Sequence, residues 1–183
     1  MVGLTLTVRV GLPVLWMSLA GGLILFFYTT PPISLNFRGL GELSLFLCFG
    51  PLLVLGIYFV LTGRLAWEPV VAALPLGLLT MNVGNISAVF DYPSDLATHK
   101  RSFAVKWGQP AAVRLIGLFA MLGFLSIPLG VMGGLLPSWS LLGLLTLPLA
   151  VQAVLRVRRY ADLTGYPLAM GWAVATTPER AGC

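Results

Sequence analysis

Charge is what this sequence has least of. Only 9% of its 183 residues are Asp, Glu, Lys or Arg, against about 25% in a soluble domain. So few charges cannot cover a water-facing surface, which excludes an ordinary soluble fold. Disorder is excluded too, because it requires low hydrophobicity and high charge. Cysteine is scarce: Cys48 lies in an apolar run and Cys183 is the last residue. That spacing offers neither a disulfide framework nor a metal-ligand pattern. No internal repeat recurs at a fixed period, and no low-complexity tract stands out beyond a richness in leucine. What is present is apolar. Hydrophobic residues reach 58% with glycine left out, where a soluble chain reaches about 45–50% with glycine counted. An integral membrane protein is the class that tolerates both figures.

Five apolar runs, 10–27, 43–61, 69–90, 115–136 and 139–155, have the length of membrane-spanning helices. At 1.5 Å per residue they cross a hydrocarbon core of about 30 Å, the last only marginally. The first is too long for a signal peptide and lacks the small-residue cleavage pattern, so it reads as a true span. Pro51, Gly56, Pro75, Gly77, Pro128 and Gly130 punctuate the runs. Close helix packing with local kinks accounts for them as well as a cavity does. The expected fold is all-α: five transmembrane helices in one domain over 1–183.

The loops sort by charge. With five spans, Arg9 and Arg64 fall on one side. Arg38, Lys100, Arg101, Lys106, Arg114, Arg156, Arg158, Arg159 and Arg180 fall on the other. The positive-inside rule then places the 91–114 loop in the cytoplasm and the N-terminus outside. An outside N-terminus without a signal peptide predicts further spans upstream. Beyond Arg159, the moderately apolar stretch 166–177 is expected either to lie on the membrane surface or to begin a sixth helix.

Ionisable groups of both signs gather in one place, the loop that opens with Asp91 and Asp95 and continues through Lys100, Arg101 and Lys106. Asp91 and Asp95 stand four apart, so on a helical turn their carboxylates share a face. Facing carboxylates repel unless a cation sits between them. Magnesium suits the position, since it takes one or two carboxylates and completes its shell with water and phosphate oxygens. Lys100, Arg101 and Lys106 could then pair with the remaining phosphate charge. The plain alternative is a charged juxtamembrane loop that only anchors helix ends in water. Pro93 lies between the aspartates and is compatible with a helical pair only if a new turn starts near Asp91.

The stretch resembles the second aspartate-rich motif of the UbiA superfamily of intramembrane prenyltransferases, in its menaquinone-type branch. Asp91, Tyr92, Asp95, Ala97, Lys100, Arg101, Ala104, Val105, Lys106 and Gly108 fall on that pattern without a gap. Tyr28, Thr29, Thr30, Pro31 and Pro32, followed by Arg38, Gly39, Leu40, Gly41, Glu42 and Leu43, resemble an earlier cytoplasmic connection of these enzymes. Four positions depart. Ser87 stands where asparagine is usual, His99 stands where glycine is usual, and Pro93 and Ser94 replace acidic residues. Asn82 and Asn85 lie one turn or so earlier, in an apolar run. There they either hydrogen-bond between helices or line a polar site under the loop.

The resemblance implies a nine-helix bundle of which these spans are the fourth to eighth. It also implies a first aspartate motif that this chain lacks, since Glu42, Glu68, Asp162 and Glu179 form no second pair. The implied activity is transfer of a polyprenyl group from its diphosphate to an aromatic acceptor, 1,4-dihydroxy-2-naphthoate in menaquinone biosynthesis. Asp91 and Asp95 would be the catalytic pair and hold Mg2+. Lys100, Arg101 and Lys106 would hold the diphosphate, with Asn82, Asn85, Tyr28 and Arg38 as pocket candidates. The expected partners are polyprenyl diphosphate, the acceptor, the lipid bilayer and a missing N-terminal half-bundle; no nucleic acid is expected. The expected location is a bacterial or archaeal cytoplasmic membrane. The competing expectation is a catalytically inactive truncated or split-half membrane protein. His99 reads as solvated, with a general base as the weaker alternative, and Tyr28, Tyr58 and Tyr92 read as membrane-interface residues.

Overall fold

The computed structural model describes residues 7–163, with side chains to 159. The 166–177 stretch, Arg180 and Cys183 lie outside the described residues. All regular elements among the described residues are helical, and five are long and apolar enough to cross a membrane. The first, α1 (Leu12–Thr29), starts after Gly11 with Pro13 in its first turn, where a missing N–H removes no helical bond. A short 3-10 turn, Leu35–Arg38, leads to α2 (Gly41–Thr62). Pro51 cannot donate to the helical ladder and would clash with the preceding turn. The chain answers with a π turn over Cys48–Leu52 and resumes α-helix at Leu53.

The bundle is built around α3 (Glu68–Phe90) and α6 (Gln109–Met132), which form its most extensive helix pair. Two short helices, α4 (Tyr92–Ala97) and α5 (Phe103–Trp107), fill the connection between them. The last span, Ser138–Arg159, begins as a 3-10 segment (Ser138–Thr146) and continues as α7 (Leu147–Leu163). Close approach replaces bulk where α2 meets α3. A Cβ on Gly50 would sit 2.9 Å from the Gly77 Cα, a separation that only two glycines allow.

A compact core lies directly beneath the α3–α6 connection. Ala88, Val89, Tyr92, Ala104, Ala112, Val113, Ile116 and Val157 bury one another there. Tyr92 is therefore a core residue and not the interface residue its sequence context predicts. Burial pushes its phenol pKa above the ordinary value, so the ring stays neutral within the core.

Two expected spans shift. The fourth span occupies Gln109–Met132 instead of 115–136, and Arg114 is helical and exposed instead of part of the loop. Gly108 at φ 84° and Pro110 set the helix start, while a long basic side chain near a helix end can reach polar surroundings from inside the span. The fifth span likewise continues to Arg159 rather than stopping at 155.

Candidate functional site

Asp91 is the joint between α3 and α4. Its N–H donates to the Ser87 carbonyl (2.8 Å) and its own carbonyl accepts from the Asp95 N–H (2.8 Å). A new helix begins at Tyr92 with Pro93 in its first turn, so the proline removes no helical bond. The aspartates thus stand one helical turn apart, as their spacing predicts. Their surroundings differ sharply. Asp91 is exposed, whereas Asp95 is 4% exposed. Only Asp91 of the two is open to water.

The chain turns back on Asp95 just after α4. His99 adopts a left-handed conformation at φ 55°, and the Lys100 N–H donates to the Asp95 carbonyl (2.9 Å). That return carries the Lys100 ammonium to Asp95 Oδ1 at 3.0 Å. The two groups form a charge-assisted hydrogen bond shielded from most of the solvent. Asp95 Oδ2 is buried with no partner among the described residues. The family's usual glycine before this lysine now has a physical reason, because the position requires positive φ.

The next residues are held by the first connection. The Arg101 N–H donates to the Phe37 carbonyl (3.1 Å), and the Phe103 N–H donates to Glu42 Oε1 (3.0 Å). Gly39, at φ 79°, lies so close that a Cβ there would be 2.5 Å from the Arg101 carbonyl oxygen. The two segments that carry the family resemblance are therefore packed together at one end of the bundle.

The other candidates separate. The Arg101 side chain is exposed. Lys106 Nζ lies 4.9 Å from the centroid of the Trp107 ring, a cation–π contact on an exposed indole. Arg38 Nη2 donates to the Pro32 carbonyl (2.9 Å) within its own loop, and Tyr28 is half-buried at the end of α1. Asn82 Nδ2 donates to the Ile116 carbonyl (2.9 Å), the interhelical role. Asn85 is fully buried, and neither atom of its amide has a partner among the described residues.

Sequence reasoning missed two buried polar side chains here. Glu42 reads as a lone acid, although it lies inside the earlier resembling segment. Gln109 Nε2 donates to the Val89 carbonyl (3.0 Å), tying the start of α6 to the end of α3, and no sequence signal marks it.

The chain is 31% identical over 148 residues to the 1,4-dihydroxy-2-naphthoate octaprenyltransferase of Mycobacterium tuberculosis, covering 78% of this chain and 49% of that protein. It is 30% identical over 135 residues to the 2-carboxy-1,4-naphthoquinone phytyltransferase of Synechocystis, covering 74% and 44%. The corresponding octaprenyltransferase of Bacillus subtilis is 24% identical over 142 residues, covering 76% and 46%. The chain spans about half the length of the curated relatives it matches. No solved structure matches it. The UbiA prenyltransferase family profile matches residues 1–174, and a helical membrane protein with this motif-bearing loop belongs to that family.

Proposed function

We propose that this chain serves the transfer of a polyprenyl group from polyprenyl diphosphate to an aromatic acceptor within the membrane. The acceptor we assign is 1,4-dihydroxy-2-naphthoate, the compound named for the mycobacterial and Bacillus relatives. The observation that carries the reading is Asp95. It is buried, one of its oxygens is neutralised by Lys100, and the other has no partner among the described residues, with the exposed Asp91 one helical turn earlier in the chain. An unpartnered buried carboxylate oxygen costs free energy, and a cation relieves that cost.

The donor set fits magnesium. No group of three or more His, Cys, Asp or Glu occurs among the described residues, so an all-protein cage is not on offer. Magnesium needs only one or two carboxylates plus phosphate oxygens, and Asp91 and Asp95 would hold it. An ion held there would supply positive charge to stabilise the departing diphosphate. Lys100, already fixed on Asp95, supplies positive charge at the same place, and Arg101 follows it on the clamped backbone. The apolar helices beneath exclude water from the allylic cation that develops as the carbon–oxygen bond breaks and the aromatic ring attacks.

The reading assigns turnover to this chain together with a half-bundle carrying the first aspartate motif. One motif leaves much of the diphosphate charge unmatched near an apolar medium, where charge is costly. The deciding assay uses membranes with prenyl diphosphates of several lengths and naphthoate or benzoate acceptors. It is run with and without magnesium, and with and without a three-helix partner bearing that motif. Magnesium-dependent prenylation of the naphthoate only with the partner present is expected. Robust turnover by the 183-residue chain alone, abolished by Asp91→Asn, would remove the need for a partner. No product under any condition would leave the non-catalytic reading.

The reading also places the basic loop on the cytoplasmic face. In a variant with Cys48 and Cys183 replaced, Lys100→Cys should resist an impermeant thiol reagent in intact cells and react after lysis. Labelling in intact cells would invert the topology.

A further inference from the structure

Glu42 is 5% exposed and makes no ion pair among the described residues. Burying a carboxylate without a cation is expensive and needs compensation from hydrogen bonds. Partial compensation comes from the Phe103 N–H, 61 residues away in sequence and 3.0 Å from Oε1, while Oε2 is buried with no partner among the described residues. Phe103 is the first residue of α5, and Ser102 before it makes no side-chain cap. Glu42 takes over that role from another element, placing negative charge where a helix start presents free N–H groups. A second stitch runs parallel, from the Arg101 N–H to the Phe37 carbonyl, and Gly39 lets the two backbones touch.

We infer that Glu42 is a positioning residue for phosphate recognition: its carboxylate pins 101–103 so that Lys100, Arg101 and Lys106 are presented on a fixed backbone. The stitched residues lie between Lys100 on one side and Lys106 on the other. Released, this stretch would keep only short helix α5, too short to hold itself in place. Lys100 would keep its own backbone bond to Asp95, but Arg101 and Lys106 would have to order their backbone to reach a phosphate beside it. This inference rests on the diphosphate reading of the loop.

The test uses the full chain in detergent or nanodiscs, with inorganic pyrophosphate and magnesium as the probe. Glu42→Ala is expected to weaken pyrophosphate binding about tenfold, the equivalent of one lost hydrogen bond to a charged group. It is also expected to speed amide hydrogen exchange over 101–106 while α3 and α6 keep their protection. Glu42→Gln should restore both, because its amide oxygen accepts the same bond. Gly39→Ala, which pushes the two backbones apart without touching the carboxylate, should reproduce the Glu42→Ala signature. It serves as the second route if that variant folds poorly. Leu43→Ala, on an exposed position of the same helix, should change neither reading.

Unchanged exchange over 101–106 in both disrupting variants would overturn the inference. So would weaker binding that merely tracks a smaller folded fraction. A Glu42→Gln variant as weak as Glu42→Ala would show that the charge itself, and not the position it fixes, matters. If the unaltered chain binds no pyrophosphate, the functional reading fails. The exchange measurement then decides by itself whether Glu42 pins the loop.

Discussion

The inner pair α3 and α6 and the outer spans look alike by hydropathy and differ in almost everything else. Mean hydropathy is 1.5 and 2.2 for α3 and α6, and 1.7 for both α1 and the Ser138–Arg159 span. Yet 28% of each inner window is buried against 6% of each outer one. Hydropathy measures whether a helix can cross a membrane. It does not distinguish a neighbour made of lipid from one made of protein, because both are apolar. What marks the inner pair is small and polar residues: Ala73, Gly77, Asn82, Asn85 and Ala88 are buried on α3, and Ala112, Gly123 and Gly130 on α6.

Equal truncations in the two regions should break the apparent symmetry most strongly. Ile116, 1% exposed on α6, packs in the core beneath the loop. Ile116→Ala should destabilise the protein by about 2–5 kcal/mol, the usual cost of a large-to-small change in a packed core. Leu23, 55% exposed on α1, leaves no cavity, and Leu23→Ala should stay within about 0.5 kcal/mol. Thermal or denaturant unfolding in one detergent measures both. Equal losses would mean that α1 is packed as tightly as α6.

Glycines sharpen the contrast next. A Cβ on Gly77 would meet the Phe46 ring at 2.9 Å and the Gly50 Cα at 3.1 Å, whereas one on Gly22 meets nothing within 4 Å. Gly77→Ala should cost about 1–3 kcal/mol through overpacking. Gly22→Ala should be neutral or stabilising by up to about 1 kcal/mol, since alanine orders less freely than glycine in the unfolded chain. Melting temperatures of the two variants, shifted in opposite directions, would establish the asymmetry.

Much of this molecule was legible in its sequence. The spans follow from run length, and the backbone turn that joins Asp91 to Asp95 follows from their spacing. The start of α6 was not legible, because Arg114 reads as a loop residue unless its side chain is allowed to extend out from a span. Neither was the burial of Asp95. Spacing puts both carboxylates on one face but does not say what covers that face, and Lys100 covers half of Asp95 only after His99 turns the chain back. Glu42 was invisible for a different reason: its partner is a backbone N–H, which every residue but proline carries, so no side-chain pattern betrays it.

The aspartates extend the comparison to the loop above the inner pair. Asp95→Asn removes the partner of a lysine whose side chain is only 20% exposed, and should cost about 1–2 kcal/mol. Asp91→Asn, at the exposed joint, should change stability by no more than about 0.5 kcal/mol. Both variants should lose magnesium-dependent pyrophosphate binding. A double-mutant cycle of Asp95→Asn with Lys100→Met isolates the pair, because the second substitution removes the stranded charge. If Asp95→Asn unfolds the protein while the remaining folded fraction binds pyrophosphate normally, the pair is structural.

The smallest expected effect concerns the turn that brings Lys100 back. His99 sits at φ 55°, a conformation that costs most non-glycine residues about 1–2 kcal/mol, though histidine tolerates it better than many. Its imidazole is exposed, so packing repays little of that cost. His99→Gly removes the strain but frees the unfolded chain, an entropic loss of about 0.5–1 kcal/mol. The net should be a stabilisation of about 0.5 kcal/mol, seen as a small rise in melting temperature. His99→Val should lower it, because a β-branched residue suits positive φ worst. Pyrophosphate binding should be unchanged in His99→Gly, since the backbone return that delivers Lys100 to Asp95 is preserved. A glycine variant that is more stable but binds pyrophosphate several-fold more weakly would mean that the imidazole itself takes part at the phosphate, and that the strain at this position is kept for that contact.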